Sequence, residues 1–113
     1  MAMTTRQAVY LRFFMHANAR HGGTLLHEWL LERARAEGIG GGSVFRAVAG
    51  FGRHGVLRET HFFELADDLP LKVEFIVDPA QCDTLLALVR EAGADLVYTR
   101  NAVEFGIIEG RPA

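Results

Sequence analysis

The chain has 113 residues, half of them apolar, which is the size of one domain and enough to build a core without disulfide or metal staples. Twelve basic and fourteen acidic side chains leave a net charge near −2 with no long run of one sign, which argues against a dedicated nucleic-acid binder. The single cysteine, Cys82, excludes an internal disulfide and a cysteine zinc site, and no apolar stretch approaches the ~20 residues of a membrane span.

The start, Met1 to Gln7, is polar and unlike a signal peptide, so a single cytoplasmic domain over residues 1–113, without membrane insertion, is expected. Ala8 to Met15 reads as a strand, with Val9, Leu11 and Phe13 on one face and Tyr10, Arg12 and Phe14 on the other. A polar loop, His16 to Gly23, leads to a helix in which Leu25, Leu26, Trp29, Leu30 and Ala34 recur at helical spacing, with Thr24 as N-cap and Gly38 as stop. After Gly40-Gly41-Gly42 a second strand runs roughly from Ser43 to Ala49. The segment Gly50 to Asp68 has no sustained period, although His61 to Leu65 could extend a hairpin arm.

Pro70 opens a third strand in which Leu71, Val73, Phe75 and Val77 alternate with Lys72, Glu74 and Ile76. Asp78 as N-cap, Pro79 at the first helical position and Gln81 as capping-box partner start the second helix, whose stripe is Cys82, Leu85, Leu86 and Val89 and whose end is Gly93. Leu96 to Thr99 makes a short fourth strand before a tail. The order βαββαβ predicts an α+β, ferredoxin-like fold, a four-stranded antiparallel sheet with both helices on one face. The other face carries Tyr10, Arg12, Phe14, Lys72 and Glu74, half apolar, and is expected to meet another subunit.

Gly50-Phe51-Gly52-Arg53-His54-Gly55 satisfies the GxGxxG spacing, but it follows a second strand and enters Val56 to His61, which has no helical stripe, so the dinucleotide fingerprint does not apply. Two readings remain. Glycines let backbone N–H groups approach an anion while Arg53 pairs with a phosphate; or the glycines serve a turn and Arg53 is solvated.

The stretch Gly50-Phe51-Gly52-Arg53, a long excursion, and Leu69-Pro70-Leu71-Lys72-Val73-Glu74-Phe75-Ile76-Val77 resembles the PII signalling proteins, in which a similar segment begins the T-loop. With Arg12-Phe13-Phe14, Leu26 to Leu31, Val44-Phe45-Arg46, His61 to Leu65 and Glu104-Phe105-Gly106, most of the chain is similar to a PII-like bacterial family of unknown function, sometimes encoded near fluoride-exporter genes. The resemblance implies a homotrimer with clefts between subunits, an adenine nucleotide or other small anion as ligand, and Gly50, Gly52, Arg53, His54 and Gly55 as the ligand-binding segment. It further implies that the 50–69 loop senses the ligand and controls a partner, a membrane transporter among the candidates. The link Glu91 to Asp95 carries no Lys, unlike the phosphate-gripping loop of PII proteins, and neither tyrosine lies in the 50–69 loop.

The histidines (His16, His21, His27, His54 and His61) lack the i, i+4 spacing of a helical metal pair, so no metal site is assigned. Cys82 falls on an apolar stripe and is expected to be a buried, inert thiol. Glu59, Glu64, Asp67 and Asp68 have no paired nucleophile and read as solvated or capping acids, Trp29 reads as core, and no catalytic residue is assigned, so the chain is not expected to be an enzyme. The alternatives to a ligand-sensing regulator are a ligand-free interaction trimer and a metal-responsive trimer.

Overall fold

The structure, a computed structural model, describes residues 2–50 and 69–111. Its elements are β1 (Met3–His16), β2 (Arg20–His21), β3 (Thr24–Leu25), α1 (Leu26–Ala36), β4 (Gly42–Arg46), β5 (Pro70–Val77), α2 (Pro79–Ala92) and β6 (Val97–Ile108). Four strands form one sheet in the order β4-β5-β1-β6, every pairing antiparallel. α1 lies against β4 and α2 against β1, and the two helices touch. The predicted ferredoxin-like α+β architecture is the one found.

Alternation decides which face is covered. On β1, Leu11, Phe13 and Met15 point to the helices, and their partners Phe75, Val73 and Leu71 on β5 do the same. Leu30 and Ala34 of α1 and Cys82, Leu85 and Val89 of α2 close the core from above. Phe13, Leu11, Leu30 and Leu85 are among the largest fully buried side chains. Each such burial is worth about 1.5–3 kcal/mol, so the helix-facing side of β1 and β5 holds the layers together.

The start of α2 follows the sequence signal closely. The Asp78 carboxylate accepts from the Gln81 N–H at 2.8 Å, the Gln81 side chain accepts from the Asp78 N–H at 3.1 Å, and Pro79 occupies the first turn. α1 departs from it. Its N-cap is Leu25, not Thr24, and no side chain caps it; Thr24 is drawn into the small hairpin with His21, where Gly22 and Gly23 turn at φ 57° and 83°. Its end is a Schellman stop: the Gly38 N–H donates to Arg35 O at 3.0 Å and the Ile39 N–H to Ala34 O at 3.1 Å. Gly38 takes φ 78°, and Ile39 is buried as the accompanying apolar contact.

Three other expectations are corrected. β1 begins at Met3, not Ala8; β4 spans Gly42–Arg46 and not Ser43 to Ala49; and β6 runs twelve residues where only Leu96 to Thr99 was expected. For β1 and β6 the cause is shared. β6 is an edge strand with most of its residues exposed, so its sequence shows no alternation, and its pairing with β1 from Phe14↔Val97 to Met3↔Ile108 carries both strands past the end of β5. Trp29 is half-buried, its ring centroid 4.6 Å from that of His21, and is not central core.

Candidate ligand-binding cleft

The uncovered face is organised as a ladder across all four strands. Arg12 on β1 donates to Thr99 Oγ1 at 2.9 Å and to Asn101 Oδ1 at 2.6 Å on β6, and its guanidinium lies 4.2 Å from the Tyr10 ring centroid. The Tyr10 hydroxyl donates to Glu74 on β5. Glu74 pairs with Lys72 at 3.3 Å, and the Lys72 ammonium stands 4.9 Å over the Phe45 ring on β4. Charge and aromatic surface alternate, so each charge meets a partner within the protomer.

Beside this ladder, where β5 ends and β1 continues with β6 alone, lies an open cleft of about 680 Å³. One wall is the strap joining α1 to β4, with Gly40, Gly41 and Gly42. Another is the end of β5 and the cap of α2, with Glu74 and Gln81, and the floor brings Arg6 and Tyr10 from β1 and Phe105 from β6. Arg6 stacks at 4.8 Å over Phe105 and has no carboxylate partner among the described residues. Asp78 faces the cleft, but the capping box consumes its carboxylate.

The glycines of the strap divide into two kinds. Gly38 needs its positive φ, and a Cβ on Gly42 would stand 2.5 Å from Phe75 Cε1. Gly40 and Gly41 have neither demand: a Cβ there meets nothing within 4 Å and the backbone is not left-handed. Among the described residues nothing requires glycine at these two positions, and both line the cleft.

Of the sequence-assigned site, Gly50 lies at the exit of β4, where a Cβ would be 3.6 Å from Pro70 Cγ. Gly52, Arg53, His54 and Gly55 lie outside the described residues, as do His61, Phe62, Phe63 and the acids of that segment. The segment leaves and returns at one end of the sheet, held by Ala47 N–H to Pro70 O at 2.8 Å and Ala17 N–H to Leu69 O at 3.0 Å. The cleft sits at the other end of β4 and β5; from Pro70 to Phe75 the strand runs about 17 Å. The structure therefore does not bring Gly50 to the cleft within one protomer. Sequence reasoning missed the cleft residues, for which the signal was the Gly40 to Gly42 run, read only as a turn.

Cys82 is buried, as expected. Arg100 Nη1 lies 3.8 Å from its sulfur and 3.5 Å from Asp83, and the guanidinium pKa is raised, first by the contact with Cys82 and then by the charges of Tyr98 and Asp83. His27 Nδ1 is buried with no hydrogen-bond partner among the described residues. Among those residues no group of three metal-ligating side chains converges, and no helix is long and apolar enough to cross a membrane.

The fold is that of PII-like proteins. CPII of Thiomonas intermedia K12, a nitrogen regulatory PII-like protein, superposes in its apo form with a TM-score of 0.60 at 16% identity, covering 95% of this chain and 100% of that one. Its form bound to ADP, AMP and bicarbonate gives 0.65 at 19%, covering 92% of each. A candidate PII-like signaling protein of Thermus thermophilus gives 0.61 at 14%, covering 89% of this chain and 90% of that one.

The chain belongs to the DUF190 family, described as an uncharacterized ACR, whose profile matches residues 8–105. Relatives are UPF0166 proteins of Aquifex aeolicus, 39% identical over 58% of this chain, and of Methanocaldococcus jannaschii, 27% identical over 62%. The matches span 63% and 64% of those relatives' own lengths.

Proposed function

We propose that the protein is a cytoplasmic ligand-sensing regulator and not an enzyme: copies associate as a trimer, an adenine nucleotide binds between them, and the 50–69 loop passes the bound state to a partner such as a membrane transporter. The observation that carries the ligand reading is the pair Gly40 and Gly41, glycines that nothing among the described residues demands, lining a cleft with an aromatic floor and a cation, Arg6, that has no carboxylate partner among those residues. Bare backbone admits close approach by a ligand. Tyr10 and Phe105 offer ring surface to a base, and Arg6 offers charge to a phosphate. CPII, which shares the fold, has been seen with ADP and AMP.

Two copies are needed because the Gly50 end of the sheet and the cleft are too far apart within one. A nucleotide in the cleft of one copy would reach the Gly50-Phe51-Gly52-Arg53 segment of the next. Its binding then changes the free energy of that loop only if the two loop states differ in affinity, the requirement for any switch of this kind.

Titration calorimetry with AMP, ADP and ATP tests this. Gly41→Val should keep the fold, since a Cβ there meets nothing within 4 Å among the described residues, and weaken nucleotide binding at least about tenfold, a loss of about 1.4 kcal/mol. Arg53→Ala should weaken ADP more than AMP. Absence of heat and of any thermal shift with all three nucleotides would overturn the assignment and favour the ligand-free interaction trimer.

A further inference from the structure

β5 stops pairing at Val77, opposite Val9, whereas β1 and β6 run on together to Met3 and Ile108. Among the described residues the row of the sheet that β5 occupied is therefore vacant beside the first part of β1. Which backbone groups face that row follows from two hydrogen bonds. The Glu109 N–H donates to Ala2 O at 2.9 Å, so Ala2 and, by alternation, Thr4, Arg6 and Ala8 turn their backbone groups toward β6. The Ala17 N–H donates to Leu69 O at 3.0 Å, so the odd-numbered residues of this unbroken strand turn toward the β5 row. Met3, Thr5 and Gln7 accordingly present backbone donors and acceptors to the vacant row, with no backbone partner there among the described residues, and all three residues are exposed. No proline or lysine blunts this edge. It borders the cleft that Arg6 lines, and the wall across that cleft is Gly40 and Gly41, where no side chain fills the space.

We propose that the vacant row is a docking edge for an extended acidic segment of a partner protein, which adds as a strand beside β1. Backbone hydrogen bonds to Met3, Thr5 and Gln7 hold the segment, and its residue opposite Arg6 stands on the same face as Arg6. Arg6 lies over Phe105 and has no carboxylate partner among the described residues, so an Asp or Glu at that place completes the pair. Met3, Thr5 and Gln7 lie ahead of the stretch that the family profile matches. The inference goes beyond the nucleotide reading and needs none of it. A phosphate and the peptide carboxylate compete for Arg6, so nucleotide and peptide are alternative occupants of one cleft.

Selection of a displayed random octapeptide library on the full chain without nucleotide, followed by residue-resolved hydrogen exchange with the peptides recovered, tests it. In the free protein the Thr5 and Gln7 amides should exchange fast and those of Arg6 and Ala8 slowly. The recovered peptides should carry Asp or Glu among strand-forming residues and slow Thr5 and Gln7 at least about tenfold. They should bind Arg6→Glu at least about tenfold more weakly. Gln7→Pro removes an edge N–H without breaking a bond to β6, and should abolish binding while the amides shared by β1 and β5 stay protected. Slow Thr5 and Gln7 amides in the free protein would mean that a neighbouring copy already covers the edge, and would overturn the proposal. So would a selection that yields no peptide, or peptides that leave both amides fast. A peptide that binds Arg6→Glu as tightly as wild type overturns the acidic partner.

Discussion

Gly42 packs so closely on Phe75 that a Cβ at position 42 would lie 2.5 Å from one ring carbon and 2.8 Å from the next. β4 can approach β5 at this point only because position 42 has no side chain, and Leu31 of α1 closes the same gap from above at 3.1 Å.

Gly42→Ala should therefore lower stability by about 1–3 kcal/mol, the usual range for overpacking a filled site. Gly40→Ala and Gly41→Ala, two and one residues earlier, should be neutral or stabilising by up to about 1 kcal/mol, because alanine narrows the unfolded ensemble at no native cost. Urea unfolding of the three variants checks the contrast, and equal losses at all three would contradict the packing account.

The reciprocal bonds of Asp78 and Gln81 make the cap of α2 a defined unit. Asp78→Ala should remove about 1 kcal/mol, while Asp78→Asn or Asp78→Ser should restore most of it. Chemical denaturation at neutral pH is sufficient, and an Asp78→Ala variant as stable as wild type would refute the role.

Across the uncovered face, Tyr10 should matter more to the isolated protomer than Lys72. Tyr10→Phe strips a half-buried carboxylate of a donor and should be destabilising by about 1–2 kcal/mol. Lys72→Met breaks an ion pair with both side chains partly solvated and should change stability by less than about 0.5 kcal/mol. A double-mutant cycle through Glu74 gives the coupling directly.

Cys82 should resist thiol reagents in the native state and react only on unfolding, since it is 1% exposed. Arg100 should stay charged throughout. Its folded pKa is raised above the ordinary guanidinium value, so any stability it lends is present throughout the range below that and lost only as pH rises past the folded pKa. Arg100→Gln should accordingly shift the unfolding midpoint equally at about pH 6 and about pH 9, and a shift confined to one of them would argue against it.

The parts of the fold legible in the sequence are those with a local cause. Asp78, Pro79 and Gln81 announce a helix wherever they occur in that order, and Leu71 to Val77 alternates because one side of β5 is covered. β6 was illegible beyond Thr99 because an edge strand with most of its residues exposed imposes no pattern on them. Thr24 was a sound cap in composition, but a two-residue hairpin claimed it. The cleft was hidden for another reason. It is assembled from Arg6, Gly40, Glu74 and Phe105, ordinary residues in their own segments, and only the sheet order brings them together.

The two hydrogen bonds that pin Ala47 to Pro70 and Ala17 to Leu69 have an evolutionary consequence. They close the connection between β4 and β5 on the sheet itself, so the fold does not depend on how long that connection is. Doubling its length would add only about 0.6 kcal/mol of closure entropy. Descendants of this sequence are free to exchange the whole passage between Gly50 and Leu69 without rebuilding the domain that carries it.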